Sequence, residues 1–177
     1  MRLGVTTNGT RLKSAEARER LIEDFDQLII SIDGLGAFHD SVRGADGLFA
    51  QLRQSIAQVR ERKAQRGRGP LLRVNTILMR DNIHAFEDLC CALAVWGIEE
   101  LTFNALGGRD RPEFFPEHRL RPEDVTWLRQ ALPGIRARVA ELGLTILGSE
   151  QYLNRIASSA HEISIPVYDC RPGQNSL

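Results

Sequence analysis

The chain has 177 residues, and its 23 basic and 23 acidic side chains give a formal net charge of zero. Such a balance excludes the strong positive field that attracts polyanions, so we expect neither nucleic acid nor a membrane as a partner. No apolar run approaches the roughly 18 residues of a membrane span, and the N-terminus lacks the apolar region of a signal peptide. We expect a cytoplasmic protein whose size suits one ordinary domain.

The first half of the chain alternates strand and helix patterns. Residues 2–8 are rich in strand formers, and 13–23 are helical in composition. The apolar run at 26–32 predicts a strand that is covered on both faces. Leucine, isoleucine and valine recur at helical spacing through 46–65, and the glycine-rich segment 67–70 ends that helix.

The same alternation continues in the middle of the chain. Residues 71–79 predict a strand, and apolar residues on one face of 86–97 predict a helix. Residues 100–105 predict the next strand. The polar segment 107–120 predicts a long loop, a feature that is uncommon in compact domains unless it serves a function. It either contacts substrate beside the preceding strand or is a charged surface loop.

The last third predicts more helix than strand. Helical patterns extend over 122–142, but the Pro-Gly pair at 133–134 predicts a break into two helices. A short strand is expected at 144–147 and a last helix at 149–159, followed by an irregular tail, 160–177. Four clear βα units and one weak one predict a partial βα barrel or an open doubly wound sheet, and the pattern alone does not separate these two.

Polar residues stand at the carboxyl end of each clear strand. They are Thr6, Thr7, Asn8, Ser31, Asp33, Asn75 and Asn104. In parallel βα folds these ends meet at one edge of the sheet, where ligands bind. Ser31 and Asp33 are two residues apart and are therefore expected on one face. The whole group either binds a polar ligand or forms a self-satisfied network that caps the sheet.

Four segments carry a family resemblance: TTNGT at 6–10, IISIDG at 29–34, FHDSVRG at 38–44 and VNTILMRDN at 74–82. In this order and spacing they resemble the middle of the barrel of the radical S-adenosylmethionine (SAM) superfamily. The similarity is greatest to the branch with a C-terminal SPASM or twitch extension. It resumes in the segment DCRPG, which resembles the opening of the auxiliary-cluster region of that branch.

The resemblance implies an α/β fold, a partial TIM-like βα barrel over residues 1–148 that corresponds to roughly strands three to six of a radical SAM core. Residues 149–177 would form a linker helix and the start of the auxiliary-cluster region. In the intact parent, a [4Fe-4S] cluster cleaves SAM, and the resulting radical abstracts hydrogen from a substrate. That substrate is a peptide, a protein or a small molecule.

The resemblance also implies residue roles. Ser31 and Asp33 would bind polar groups of SAM, and Arg43 would grip its carboxylate in a bidentate pair. Asn75 and Asn8 would approach SAM from the neighbouring strands. For Asn8 an alternative is open, because Asn-Gly is also a favourable turn sequence.

Two further residues have assigned roles. Asn104 is a candidate on the substrate side of the site. Cys170 is the one candidate metal ligand, for an auxiliary Fe-S cluster, although such clusters need several thiolates. The odd count of three cysteines provides no disulfide framework and fits a reducing compartment.

Two family motifs are absent from the sequence: the CX3CX2C loop that binds the [4Fe-4S] cluster and the GGEP-like motif that cradles SAM. Cys90 and Cys91 cannot replace the loop, because adjacent helical residues point about 100° apart, so we interpret both as packing residues. We therefore expect an incomplete chain that does not cleave SAM alone, with the first two βα units upstream of Met1.

Two rival interpretations stay open. One is a truncated or degenerate barrel that acts as a non-catalytic interaction module. The other is an ordinary α/β enzyme that uses Ser31 and Asp33 without a cluster, but the sequence offers it no pair of nucleophile and base. Histidines 39 and 84 flank helices without a second ligand at metal spacing.

Overall fold

A computed structural model describes residues 2–107 and 112–163. It contains a sheet of five parallel strands: β1 (Gly4–Thr7), β2 (Gln27–Ser31), β3 (Leu71–Leu78), β4 (Glu100–Ala105) and β5 (Thr145–Ile146). Their order in space is the order in the chain. A doubly wound sheet would reverse its strand order at a switch point, and the described sheet has no reversal. The partial βα barrel is therefore confirmed.

Seven α-helices connect and flank the described strands. They are α1 (Ala15–Asp24), α2 (Gly36–Arg43), α3 (Leu48–Arg66), α4 (Phe86–Val95), α5 (Phe115–His118), α6 (Pro122–Ala140) and α7 (Glu150–Ala160). Helix α2 was not among the predicted helices, since eight residues are too few for a clear apolar period. It ends at Gly44, whose φ of 61° is left-handed and suits glycine. No helix in the described ranges has the length and apolar character that a membrane crossing needs.

The predicted break at Pro133 is wrong, because α6 runs through it without interruption. An internal proline costs a helix roughly 3 kcal/mol. The helix buries apolar side chains on both sides of the proline, namely Val125, Leu128, Leu132, Ile135 and Val139. Burying each such side chain contributes roughly 1.5–3 kcal/mol, so packing on the sheet outweighs the local cost.

The sheet has two different faces. One face packs under the helices and supplies fully buried core residues such as Leu28, Ile30, Val74 and Leu101. The side chains that alternate with them are only half-buried. We call these the inner face: Gln27, Ile29, Ser31, Leu71, Arg73, Asn75, Ile77, Glu100, Thr102 and Asn104. This is the face that a complete barrel turns toward its interior.

Candidate functional site

A row of polar side chains crosses the inner face. Ser31 pairs in register with Asn75, and Asn75 pairs with Thr102, so the three residues stand side by side on β2, β3 and β4. Neighbouring strands are about 4.8 Å apart, which places the side chains of Ser31 and Asn75 within reach of one small polar group. Two of the predicted SAM-binding residues, Ser31 and Asn75, are thus adjacent.

The hydrogen bonds in this row leave two groups unused. Asn75 Oδ1 accepts from Thr102 Oγ1 at 3.1 Å and from Asn104 Nδ2 at 2.8 Å. Asn104 Oδ1 accepts from the hydroxyl of Tyr152, on α7, at 2.6 Å. Among the described residues, neither the Asn75 Nδ2 amide group nor the Ser31 hydroxyl has a hydrogen-bond partner. Both therefore stay available to a ligand.

Asp33 does not stay with Ser31 on the inner face. Strand β2 ends at Ser31, so the alternation of a strand does not extend to Asp33. The Asp33 side chain is only 2% exposed, and it lines a cavity of about 150 Å³ together with Thr76 and Phe86. Its Oδ1 accepts the Ile77 backbone N–H at 2.9 Å. The expected shared face is wrong for this residue.

Arg43 lies at the last position of α2 and forms an ion pair with Asp33, with 2.6 Å between Nη2 and Oδ2. The Arg43 side chain is 26% exposed, yet its Nε is buried and has no hydrogen-bond partner in the described part of the chain. A buried donor without an acceptor is unfavourable by about 1–3 kcal/mol. Arg43 is therefore held by Asp33 while part of its side chain stays exposed to solvent.

His39 fixes the turn between β2 and α2. Its Nδ1 accepts the backbone N–H of Asp33 at 3.2 Å, so in the neutral ring the proton lies on Nε2. The side chain is fully buried. Burial lowers the pKa of His39 below its usual value, and the nearby Arg43 cation lowers it further, against the opposing effect of Asp33 and Asp40. At pH 7 the His39 imidazole is therefore neutral in the folded protein.

This burial makes the stability of the protein pH-dependent. As the pH falls below about 6.5, the unfolded chain takes up a proton on this imidazole before the folded chain does, so stability is lost. We expect the free energy of unfolding, measured with urea at pH 7 and pH 5, to fall less in His39→Asn than in the wild type. His84→Asn is the matched control, since the His84 side chain is 64% exposed. Equal pH dependence in the wild type and His39→Asn would contradict this assignment.

Asn8 has a local role in the structure. Its Oδ1 accepts from both the backbone N–H and the hydroxyl of Thr10, at 3.2 and 3.0 Å. Gly9 follows with a left-handed φ of 81°, which completes a turn. The side-chain oxygen of Asn8 is thus occupied within its own turn, and its contact with SAM stays a prediction.

Sequence reasoning missed three residues that shape the site. Thr102 and Tyr152 belong to the polar row and its support. Asn82 is buried just after β3. Its Oδ1 accepts from the Met79 N–H, and its Nδ2 donates to the carbonyls of Asp33 and Ile77. Thr102 was detectable, because it lies two residues before Asn104. Tyr152 had no local signal, since it is 48 residues from Asn104 in the chain.

The cysteines do not form a metal site in the described residues. Cys90 is fully buried in the core, where burial raises the pKa of its thiol, and Cys91 is half-buried against the same core. Their interpretation as packing residues is confirmed. Within 2–107 and 112–163, no three histidine, cysteine or acidic residues are grouped as metal ligands. Cys170 and the loop residues 108–111 lie outside the described residues.

Comparison with known proteins gives a similar sequence and similar solved structures. No family model matches the chain. An AdoMet-dependent heme synthase from Nitratidesulfovibrio vulgaris is 32% identical over 90 residues, which cover 50% of this chain and 23% of that protein. SuiB from Streptococcus suis, whose crystal structure was solved bound to the precursor peptide SuiA, has a similar fold with a TM-score of 0.60 at 13% identity.

These matches differ in what they cover. The SuiB match covers 90% of this chain and 33% of the SuiB chain. This chain therefore spans well under two thirds of the length of either relative. The sequence match and the shared fold agree with the family that the four sequence segments resemble.

Proposed function

We propose that this chain, a member of the radical SAM superfamily, uses its inner face as one wall of a SAM-binding site. One observation carries the proposal: the Ser31 hydroxyl and the Asn75 amide stand side by side without partners among the described residues. The groups around them are hydrogen-bonded to one another. Both groups are half-buried on the inner face, so they are free to hydrogen-bond a polar ligand that lies against it.

Arg43 is the proposed contact for the carboxylate of SAM. Its side chain is 26% exposed, and a carboxylate is the acceptor that a guanidinium binds most strongly. Asp33 would act by holding Arg43 in place through their ion pair. The direct contact between Asp33 and SAM that the resemblance implies stays a prediction, as does that of Asn8.

The residues of this chain do not fit the [4Fe-4S] cluster of the family. The sequence lacks the CX3CX2C motif, and the described residues include no metal-ligand group. Bound SAM supplies radical chemistry when such a cluster lies beside it. We therefore propose that hydrogen is abstracted only by a protein that also carries the cluster-binding region. In such a protein, we propose that Cys170 is a ligand of an auxiliary Fe-S cluster.

The substrate proposal rests on the two relatives. The SuiB structure contains a precursor peptide, which favours a peptide or protein substrate, whereas the heme synthase is named for a small-molecule product. We propose that a substrate of one of these two classes approaches Asn104, which lies on β4 next to the SAM-facing row. The rival function, a non-catalytic interaction module, differs in a measurable way, because it would not bind SAM.

SAM binding by the chain itself tests the proposal. We expect NMR titration with SAM, up to millimolar concentration, to shift the signals of Ser31, Arg43 and Asn75. Ser31→Ala and Asn75→Asp should each weaken binding about fivefold, because one hydrogen bond is worth about 1 kcal/mol. Asn75→Asp keeps the oxygen that Thr102 and Asn104 contact and removes the amide donor.

The control variant is Gln54→Ala, on the exposed surface of α3. It should bind SAM like the wild type. The proposal would be overturned by a chain that gives no inner-face shifts with SAM, or by equal affinities of the wild type and both site variants.

A further inference from the structure

A line of hydrogen bonds joins helix α7 to the inner face. The Tyr152 hydroxyl is 2.6 Å from Asn104 Oδ1, and Asn104 Nδ2 is 2.8 Å from Asn75 Oδ1. Thr102 Oγ1 is 3.1 Å from the same Asn75 oxygen. Tyr152 thus lies two hydrogen bonds away from the amide group that faces the proposed ligand.

The direction of this line has a chemical consequence. An asparagine side chain presents an acceptor on one side and two donors on the other, so each amide in a row sets the sense of the next. When Tyr152 donates to Asn104 Oδ1, Asn104 Nδ2 donates to Asn75 Oδ1. The Nδ2 group of Asn75 then points away from Asn104, toward the ligand side of the inner face. If both amides were reversed, Asn75 would present its oxygen there instead.

Tyr152 provides the asymmetry that selects one sense. Among the described residues its hydroxyl proton has one acceptor, the oxygen of Asn104. The reversed line would place the Asn104 amide donors against this hydroxyl and leave the proton without a partner. Thr102 does not select a sense, because its hydroxyl also lies 3.3 Å from the Val74 carbonyl and can donate to either oxygen.

Packing holds Tyr152 in place independently of its hydroxyl. The ring meets Phe103 edge to face, with 5.9 Å between centroids, and it is half-buried. Burial also raises the pKa of Tyr152, so the hydroxyl keeps its proton at neutral pH. A phenylalanine at this position would keep the ring contacts and remove the donor.

We propose that Tyr152 is a positioning residue that fixes Asn75 as a hydrogen-bond donor, so that the ligand group bound beside Ser31 and Asn75 is a hydrogen-bond acceptor. Suitable groups are an unprotonated ring nitrogen, a carbonyl oxygen or a hydroxyl oxygen. This inference rests on the proposed function, because it takes the inner face as the SAM-binding wall. It adds which partner donates and which accepts in the contact between Asn75 and the ligand.

The test uses Tyr152→Phe in the full chain and follows the side-chain amide signals of Asn75 and Asn104 by NMR without ligand. We expect the Asn75 signals to shift or broaden although Tyr152 does not touch Asn75. Asn104→Leu removes the hydrogen bonds to both Tyr152 and Asn75, so it should change the Asn75 signals too. Gln151→Ala, an exposed neighbour on α7, should leave them unchanged.

SAM is the ligand probe in the second measurement. We expect Tyr152→Phe to weaken SAM binding about fivefold, in line with the loss of one oriented hydrogen bond, while Gln151→Ala does not weaken it. Unchanged Asn75 signals in a folded Tyr152→Phe variant would overturn the proposal. So would changed signals together with wild-type affinity for SAM. If the wild type bound no SAM, the proposed function would fail, and the ligand-free amide signals would still decide whether Tyr152 orients Asn75.

Discussion

Replacing Asp33 by alanine is expected to lower the free energy of unfolding by about 3–5 kcal/mol, as is typical when one partner of a buried ion pair is removed. Two losses combine in this variant. The Arg43 guanidinium loses the carboxylate 2.6 Å away, while its Nε already lacks a partner. The Ile77 N–H loses its acceptor. Urea unfolding followed by circular dichroism measures the change.

Two ion pairs made by an exposed carboxylate provide the control for this prediction. Glu19, at 36% exposure, pairs with Arg62 and Arg66 on the outer surface of α1 and α3. Exposed pairs contribute about 0–1 kcal/mol, so Glu19→Ala should have a small effect. If Asp33→Ala were no more destabilising than Glu19→Ala, the ion pair with Arg43 would not hold the β2–α2 junction.

Asn82→Ala is expected to destabilise the protein by about 2–4 kcal/mol. The side chain is buried and bonds to three backbone groups: the Met79 N–H at 2.9 Å and the carbonyls of Asp33 and Ile77 at 2.7 and 2.8 Å. Alanine leaves all three without their partner, and each buried unsatisfied group costs about 1–3 kcal/mol. We expect water in the cavity that Asn82 lines with Asp33 to hydrogen-bond some of these groups and so reduce the total cost.

Two measurements check the role of Asn82. Urea unfolding gives the free energy, and hydrogen exchange at the Met79 amide should become faster in Asn82→Ala. Asn154→Ala serves as the control, because Asn154 is exposed and pairs on the surface with Arg129. Unchanged protection of the Met79 amide would contradict the conclusion that Asn82 joins the end of β3 to the loop after β2.

Helices and strands could be predicted from the sequence where burial of one or both faces leaves a clear apolar pattern. The alternation along β3 and the apolar run of β2 predicted both strands and placed Ser31 and Asn75 at the carboxyl end of the sheet. Register between strands was not predictable, because it depends on how neighbouring units pack. The adjacency of Ser31 and Asn75 therefore emerged only in the structure.

The differences between the expected and the observed structure have physical causes. Asp33 was expected beside Ser31, but β2 ends at Ser31, two residues before Asp33, and a buried carboxylate is most stable where it meets Arg43. The break at Pro133 was expected from a local rule that packing of α6 overrides. The contact between Tyr152 and Asn104 joins residues far apart in the chain, which no local pattern encodes.

The family-like segments also have a structural meaning. Two of their residues each contact a third: Arg43 pairs with the carboxylate of Asp33, and His39 accepts the backbone N–H of Asp33. These residues build the junction between β2 and α2 before any ligand is considered. In the segment 74–82, Asn75 faces the open side and Asn82 supports the backbone. A motif of this kind therefore combines residues for binding with residues for shape.

The sheet in which strand order equals chain order has a consequence for synthesis. Each strand pairs with the strand made just before it, so β2 can join β1 as soon as it leaves the ribosome, and β3 can then join β2. None of the five described strands is inserted between two strands that were synthesised earlier. This order allows the sheet to grow in one direction during translation, since Ser31 and Asn75 are both synthesised before Tyr152 on α7.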